Sequence, residues 1–284
     1  MPSAGYKLVR LASGVHSVHS LQHRETFHPV VGPVAEANAL YVEQLKLRQR
    51  LRGQAGQFVV WDIGLGAAAN AVTVLGAARD ISCAVRLVSF DHTIEPLQFA
   101  LEHTGALGYI EGYAPQLKML AERHEVTFVN GRQTVRWELS LGDFPSLLAT
   151  SAARDLPKPH AILFDAFSPA KNPAMWTLPL FTRLFQLLDP GRPCAMPTYS
   201  RSTMLRVTLL LAGFYVGAGH ATGEKEETTI AANTPDLIDE PLDPKWLQRA
   251  RRSSSAEPLR EPVYRQAPLS SNTWARLERH PQFN

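Results

Sequence analysis

The chain reads as a doubly wound α/β domain with a seven-stranded mixed sheet, and three observations predict it. From Phe58 onward, short apolar runs alternate with helical segments. Several of those runs stop at an acid, as strands do at the carboxyl edge of an open α/β sheet, where ligands bind. The last two runs are joined only by the polar stretch Gly223-Glu224-Lys225-Glu226-Glu227, which makes them antiparallel neighbours at one side of the sheet.

Strands are expected at 58–63, 85–90, 161–165, 194–198, 214–217 and 228–233, with a hairpin over 126–140 turning at Asn130-Gly131, a dipeptide suited to tight turns. Helices are expected at 67–78, 95–104, 114–123, 145–152, 177–188 and 201–212, and the turn Asp189-Pro190-Gly191 separates the fifth from the strand after it. This core spans 58–233. Ahead of it, residues 1–57 carry a different pattern and form an N-terminal lid over the cofactor edge, with a helix from Ala35 to Arg52 ending at Gly53. Behind it, 234–284 is a proline-containing basic tail.

Composition sets bounds without naming a chemistry. The 284 residues are 45% hydrophobic, enough for one large α/β domain with additions, and the net charge of +3 tolerates an anionic partner without demanding one. The two cysteines, Cys83 and Cys194, are too few for a disulfide scaffold and read as reduced thiols. The start of the chain lacks the apolar core of a signal peptide, and the longest apolar run, Val207 to Gly219, is too short to span a bilayer, so a cytoplasmic protein without membrane contact is expected.

The run Ile162-Leu163-Phe164-Asp165 drives a buried strand into an acid, and Pro169 and Pro173 stiffen the loop that follows, which carries Ser168, Lys171 and Asn172. The plain alternative is an acid that caps the next helix. A second strand, Val59-Val60-Trp61-Asp62-Ile63, turns through Gly64-Leu65-Gly66 into an alanine-rich helix containing Asn70, a turn that lets backbone approach a nucleotide closely. Gly64, Gly66 and Ala69 satisfy a dinucleotide pattern, and Asp91 stands where a ribose-binding acid is expected. Asp62 argues against a dinucleotide: two residues before the first glycine, it would meet a pyrophosphate with like charge, whereas it suits the ammonium of S-adenosylmethionine. S-adenosylmethionine is therefore the expected cofactor. Asp91 can accept both ribose hydroxyls, and Asp143, which ends the strand before it, can accept a proton from the adenine amino group.

His16, His19, His23 and His28 lie close together, but no cysteine accompanies them and their spacing fits no compact site, so no metal is expected. The tail from Lys245 holds eight basic against three acidic side chains, a surplus suited to phosphate contact. Ser253-Ser254-Ser255 suits, equally, a partly disordered, solvated stretch.

The stretch Asp165-Ala166-Phe167-Ser168-Pro169-Ala170-Lys171-Asn172-Pro173-Ala174-Met175-Trp176-Thr177 resembles the signature of the tRNA wobble-uridine methyltransferases that form 5-methylaminomethyluridine. In the same order the chain carries Glu25-Thr26-Phe27-His28 followed by Gly32 and Glu36-Ala37, then Asp62-Ile63-Gly64-Leu65-Gly66 with Asn70, Ser89-Phe90-Asp91 and Leu141-Gly142-Asp143. The resemblance runs from about residue 15 to 233. It implies a Rossmann-like class I methyltransferase that transfers a methyl group from S-adenosylmethionine to the amine of 5-aminomethyluridine in tRNA. Asp165 would be catalytic; Asp62, Gly64, Gly66, Asn70, Asp91 and Asp143 would hold the cofactor. Glu25, Phe27, His28, Phe167, Lys171, Asn172, Trp176 and Tyr199 would face the substrate, with Phe167, Trp176 and Tyr199 stacking on a flipped-out base, although a core position suits Trp176 at least as well. The family's third turn glycine is Ala68 here, which puts cofactor affinity in question. Relatives often fuse this domain to a flavin-dependent oxidase; here a separate oxidase or other enzyme would supply the aminomethyl group. The alternatives are transfer of a methyl or aminopropyl group to another amine, or a non-catalytic RNA-binding module.

Overall fold

The computed structural model describes residues 5–222 and 226–284. Gly223, Glu224 and Lys225 of the polar connection lie outside them. The strands in chain order are β1 (Tyr6–Arg10), β2 (His16–Ser20), β3 (Glu25–Thr26), β4 (Gln57–Ile63), β5 (Ala84–Asp91), β6 (Glu125–Asn130), β7 (Gln133–Leu141), β8 (Ala161–Phe164), β9 (Ala195–Thr198), β10 (Tyr215–Gly219) and β11 (Thr228–Ala232). After the first three, eight strands stand where seven were expected. The difference lies in the hairpin: its first arm, β6, is a full edge strand antiparallel to β7, with Val126 buried and Val129 exposed as an edge allows.

The chain divides into two compact units. The first comprises residues 1–143, 161–165 and 221–226 and contains β4, β5, β7 and β8 in parallel, in the order β8-β4-β5-β7, with β6 beyond β7. These strands form because their side chains are apolar on both faces: Phe58 to Ile63 and Ala161 to Phe164 are buried without a break. Register then sets the chemistry. Asp62 pairs with Ser89 on one side and Leu163 on the other, and the Asp165 N–H donates to the Ile63 carbonyl at 3.0 Å. Asp165, Asp62, Asp91 and Asp143 therefore end or follow four adjacent parallel strands at one edge, the predicted arrangement.

The N-terminal segment of this unit departs from expectation. β1, β2 and β3 form a separate antiparallel sheet, where no strand was expected. Instead of one helix from Ala35 to Arg52, the chain runs from an α-helix (Pro33–Ala37) into a π-helical stretch (Asn38–Glu43), and Lys46, at φ 49°, breaks the run before Leu47–Arg52. A π turn widens the helix by one residue per turn, and a left-handed residue ends it, so the periodicity is right while continuity is not.

The second unit comprises residues 144–160, 166–220 and 227–284. Its strands run β10-β11-β9, with β11 antiparallel to both neighbours, as the short connection requires. The tail is built into this unit, which overturns the partly disordered reading of 253–255. Asp243 caps the helix Pro244–Arg251, Ser270 caps Ser271–Leu277, and Trp246, Leu247, Ala256, Leu259 and Leu277 are buried. Gln282 donates to the carbonyls of Val216 and Leu242 at 2.8 and 2.9 Å and accepts the Val216 N–H at 2.7 Å, covering the open edge of β10.

Candidate active site

Asp62 sits on the last turn of β4 with 1% of its surface exposed. One carboxyl oxygen accepts the Ser89 hydroxyl at 2.7 Å, and Ser89 accepts the Trp137 indole N–H at 2.9 Å. The other, Oδ1, is buried and has no hydrogen-bond partner among the described residues. Burial pushes this carboxyl up to about 7, helped by the neighbouring charges of Asp165 and Asp91 and opposed by the Ser89 hydrogen bond. A buried acceptor left open at a sheet edge matches a cationic ligand group, and the methionyl ammonium of S-adenosylmethionine is such a group.

The turn after Asp62 fits the same ligand. Gly64 and Gly66 have φ of 94° and 52°, and a Cβ on Gly66 would meet the Phe27 ring at 3.2 Å. The Gly66 N–H donates to Asp91 Oδ2 at 2.9 Å and the Thr93 N–H to Oδ1 at 3.3 Å, which fixes the Asp91 carboxylate and leaves Oδ2 a further lone pair for a hydroxyl. His92 Nδ1 lies 3.2 Å from Asp91 and its imidazole is held more basic than usual, chiefly by that carboxylate. Asp143 is exposed one residue after Gly142, whose N–H donates to the Asp91 carbonyl at 2.9 Å.

Ala68, the substituted glycine, adopts φ 63° as the cap residue of the helix Ala69–Ala78 and is fully buried. A left-handed alanine costs roughly 1 kcal/mol. We expect Ala68→Gly to raise stability by about 0.5 kcal/mol or more, less than the full strain because glycine gains freedom in the unfolded chain. The midpoint of urea unfolding measures it, and a lower midpoint would mean the methyl group packs better than the strain costs.

Asp165 follows β8 with 18% of its side chain exposed. The Asn70 amide donates to Asp165 Oδ2 at 2.8 Å, which places Asn70, expected at the cofactor, beside the catalytic candidate. His28 Nε2 lies 3.5 Å from the same oxygen, and His28 Nδ1 lies 3.6 Å from Glu36 Oε1. The Tyr41 hydroxyl donates to the Phe164 carbonyl just before Asp165 at 3.1 Å. Glu36 and Tyr41 were not read as site residues. Glu36 is a buried charge inside an apolar helical face, which is a signal in itself. Glu25 is half-buried in β3, opposite Ser20.

The remaining substrate candidates belong to the second unit. The Trp176 indole donates to the Phe167 carbonyl at 2.7 Å, and the Tyr199 hydroxyl donates to the Ala166 carbonyl at 3.0 Å. Trp176 and Tyr199 meet edge to face with centroids 6.0 Å apart. Trp176 is 0% exposed, which corrects its assignment as a base-stacking residue: it is a core side chain that pins the loop. Phe167 and Tyr199 keep part of their surface open, Lys171 is exposed, and the Asn172 N–H donates to Ser168 within the loop at 2.8 Å.

Residues 111–234 match the model of an S-adenosyl-L-methionine-dependent methyltransferase family. The tRNA 5-methylaminomethyl-2-thiouridine biosynthesis bifunctional protein MnmC of Methylibium petroleiphilum is 29% identical over 245 residues, 83% of this chain and 35% of that protein. Its counterpart in Burkholderia mallei is 30% identical over 212 residues, 70% of this chain and 31% of that one. The chain thus spans about a third of the length of the curated relatives it matches. Among solved structures, MNMC2 from Aquifex Aeolicus superposes with a TM-score of 0.69 at 22% identity, covering 90% of this chain and 79% of that one, which shows a common fold. Among the described residues no helix is long and apolar enough to cross a membrane. Residues 111–234 thus carry the match to an S-adenosyl-L-methionine-dependent methyltransferase family, and the chain is similar to one part of the longer MnmC proteins.

Proposed function

We propose that the chain methylates the primary amine of 5-aminomethyluridine at the tRNA wobble position, giving 5-methylaminomethyluridine. The observation that carries this reading is Asp165, a partly exposed carboxylate held by Asn70 on the strand next to Asp62, within the stretch that resembles the wobble-uridine enzymes. The names of the MnmC relatives support the same product class.

When bound, S-adenosylmethionine supplies an electrophilic methyl group. The protein's part is to present a neutral amine in line with it, because an ammonium has no lone pair to give. Asp165 accepts an N–H of the amine and fixes its direction, with Asn70 setting the carboxylate's own rotation. Asp62 receives the cofactor's ammonium, Asp91 its ribose hydroxyls and Asp143 its adenine amino group. Phe27, seated against Gly66, and the N-terminal segment from residue 5 to 57 cover the cofactor edge in this reading. Phe167 and Tyr199 offer ring faces to the base, and Lys171 and Asn172 offer polar contacts to the nucleotide. In the tail, Lys245, Arg249 and Arg252 are exposed along and after one helix and suit the phosphate backbone. The aminomethyl group is made by an oxidase or another enzyme. The thiols of Cys83 and Cys194 and a tRNA substrate favour a cytoplasmic location.

The test is incubation with labelled S-adenosylmethionine and tRNA carrying 5-aminomethyluridine, followed by nucleoside mass spectrometry. We expect 5-methylaminomethyluridine; cofactor binding without transfer would point to a different amine. In the same assay, replacing Lys245, Arg249 and Arg252 with Gln should flatten the dependence of tRNA affinity on salt by roughly two to three phosphate contacts. An unchanged slope would remove the tail from the interface.

A further inference from the structure

We propose that the exposed loop 260–266 binds unpaired nucleotides of the tRNA substrate, with the Tyr264 ring stacking on one of their bases. The proposal deepens the wobble-uridine reading above and rests on it. The loop belongs to the tail, beyond the residues 111–234 that match the methyltransferase family. It is closed at its base, since the Ala256 and Glu257 N–H groups both donate to the Ala267 carbonyl at 2.9 Å. The Glu257 carboxylate accepts the Ser270 N–H at 2.9 Å and the Thr273 hydroxyl at 2.7 Å, which ties that base to the capped start of the helix Ser271–Leu277. A compact surface loop with joined ends is an Ω-loop, a form that commonly carries binding residues on a fixed support.

Two observations say what the loop meets. The first is its place. Leu259, buried just before the loop, forms a parallel bridge with Thr177, and its carbonyl accepts the Leu178 N–H at 2.8 Å. Thr177 is the last residue of the stretch that resembles the wobble-uridine signature. The loop therefore springs from beside the end of the substrate loop, in the same compact unit as Phe167 and Tyr199. The second is its surface chemistry. Among the described residues Tyr264, at 40% exposure, is the only phenylalanine, tyrosine or tryptophan that is exposed rather than buried or half-buried. Val263 beside it is 45% exposed. A lone exposed apolar residue is ordinary, but an aromatic ring next to a second apolar side chain on a closed loop is surface that a stacked base would cover. Gln266 Nε2 donates to the Tyr264 hydroxyl at 2.8 Å, which engages the polar edge and leaves recognition to the ring face. Arg265, exposed next to the ring, suits one phosphate. Arg260 lies 3.4 Å from Glu257 at the loop's base, and Glu261 is exposed, so the loop has little net charge and binds mainly by stacking. A paired helix keeps its base faces covered, so the partner is single-stranded RNA, as in an anticodon loop.

The test is binding rather than turnover. We would titrate tRNA carrying 5-aminomethyluridine, and a fully paired RNA of similar length, into the unchanged chain, Tyr264→Ala, Tyr264→Phe and Arg265→Gln, with S-adenosylhomocysteine present and at several salt concentrations. Tyr264→Ala should weaken tRNA binding by roughly 5- to 100-fold with its salt slope unchanged, while Tyr264→Phe, which keeps the ring, should stay within about threefold of the unchanged chain. Affinity for the paired RNA should not move in either. Arg265→Gln should lower the salt slope for tRNA by about 0.7, one phosphate on a single strand. Full tRNA affinity in Tyr264→Ala, an equal loss on the paired RNA, or a Phe variant as weak as the Ala one would overturn the stacking role, and an unmoved slope in Arg265→Gln would remove the phosphate contact. Sedimentation velocity covers the other occupant: an oligomer that dissociates in Tyr264→Ala with tRNA affinity intact would make the loop a contact between copies of this chain and overturn the proposal. If the unchanged chain bound the tRNA through this loop but left its amine unmethylated, the reading of the reaction would fail and the loop assignment would stand; if it bound no tRNA, both would fall. Thermal melting confirms that each variant is folded.

Discussion

Asp165→Asn should lower kcat for methyl transfer by about 10²–10⁴-fold, the range for removing a positioned general base or its equivalent orienting charge. The substitution keeps the shape and a carbonyl oxygen, so the Asn70 amide at 2.8 Å can keep its acceptor. What it removes is the charge that holds the amine's hydrogens and the acceptor that takes its proton. Because Asp165 stands one strand over from Asp62 and is partly exposed, the fold should survive, and S-adenosylhomocysteine should bind within a few-fold of the unchanged chain. The removed charge also lies near Asp62, where it opposes ionisation, so any change in cofactor binding should be toward tighter binding. Single-turnover assays with saturating cofactor measure the effect. Full activity in Asp165→Asn would remove Asp165 from the chemistry and transfer the question to other groups along the same sheet edge.

The four acids were legible because each ends a run that has no other reason to stop. Apolar residues on both faces mark a buried parallel strand, and a carboxylate directly after one must emerge at the carboxyl edge. The N-terminal sheet was not legible. His16-Ser17-Val18-His19-Ser20 alternates as a strand should, but with one apolar residue in five the pattern carries little weight, and its pairing with Tyr6–Arg10 depends on partners that local periodicity does not reveal. The break at Lys46 leaves no mark either, since a lysine has no intrinsic preference for a left-handed turn. Trp176 shows the limit for side chains: an aromatic residue in a functional loop reads equally as a stacking face or a core anchor, and only its burial decides. Glu36 was quoted as part of a motif without a role, because the partner that gives it one, His28, is reached through the turn at Gly32 rather than along a helix face.

Asp62→Asn should weaken S-adenosylhomocysteine binding by roughly 10²-fold, or about 3 kcal/mol, while making the cofactor-free protein more stable at pH 8. The two effects have opposite signs because they have one cause. Asp62 is buried and its carboxyl is pushed up to about 7, with burial the leading contribution. In the unfolded chain it titrates near 3.9. Between those values the folded state binds more protons than the unfolded state, so stability falls as pH rises from about 4 to about 7 and stays low above it, by up to about 4 kcal/mol for a shift of about three units. Asparagine carries no such cost, so the stability advantage of Asp62→Asn should be small at pH 4 and grow through pH 7, as urea unfolding at each pH will show. Binding runs the other way, since an ammonium needs the ionised carboxylate. Affinity of the unchanged chain should therefore drop as pH falls below about 7, by up to tenfold per unit, with proton release on binding detectable by calorimetry in buffers of different ionisation enthalpy, and Asp62→Asn should abolish both. If the variant bound S-adenosylhomocysteine as well as the unchanged chain, the open Oδ1 would not be the ammonium acceptor, and its burial at that edge would have to be explained by stability alone, which it opposes.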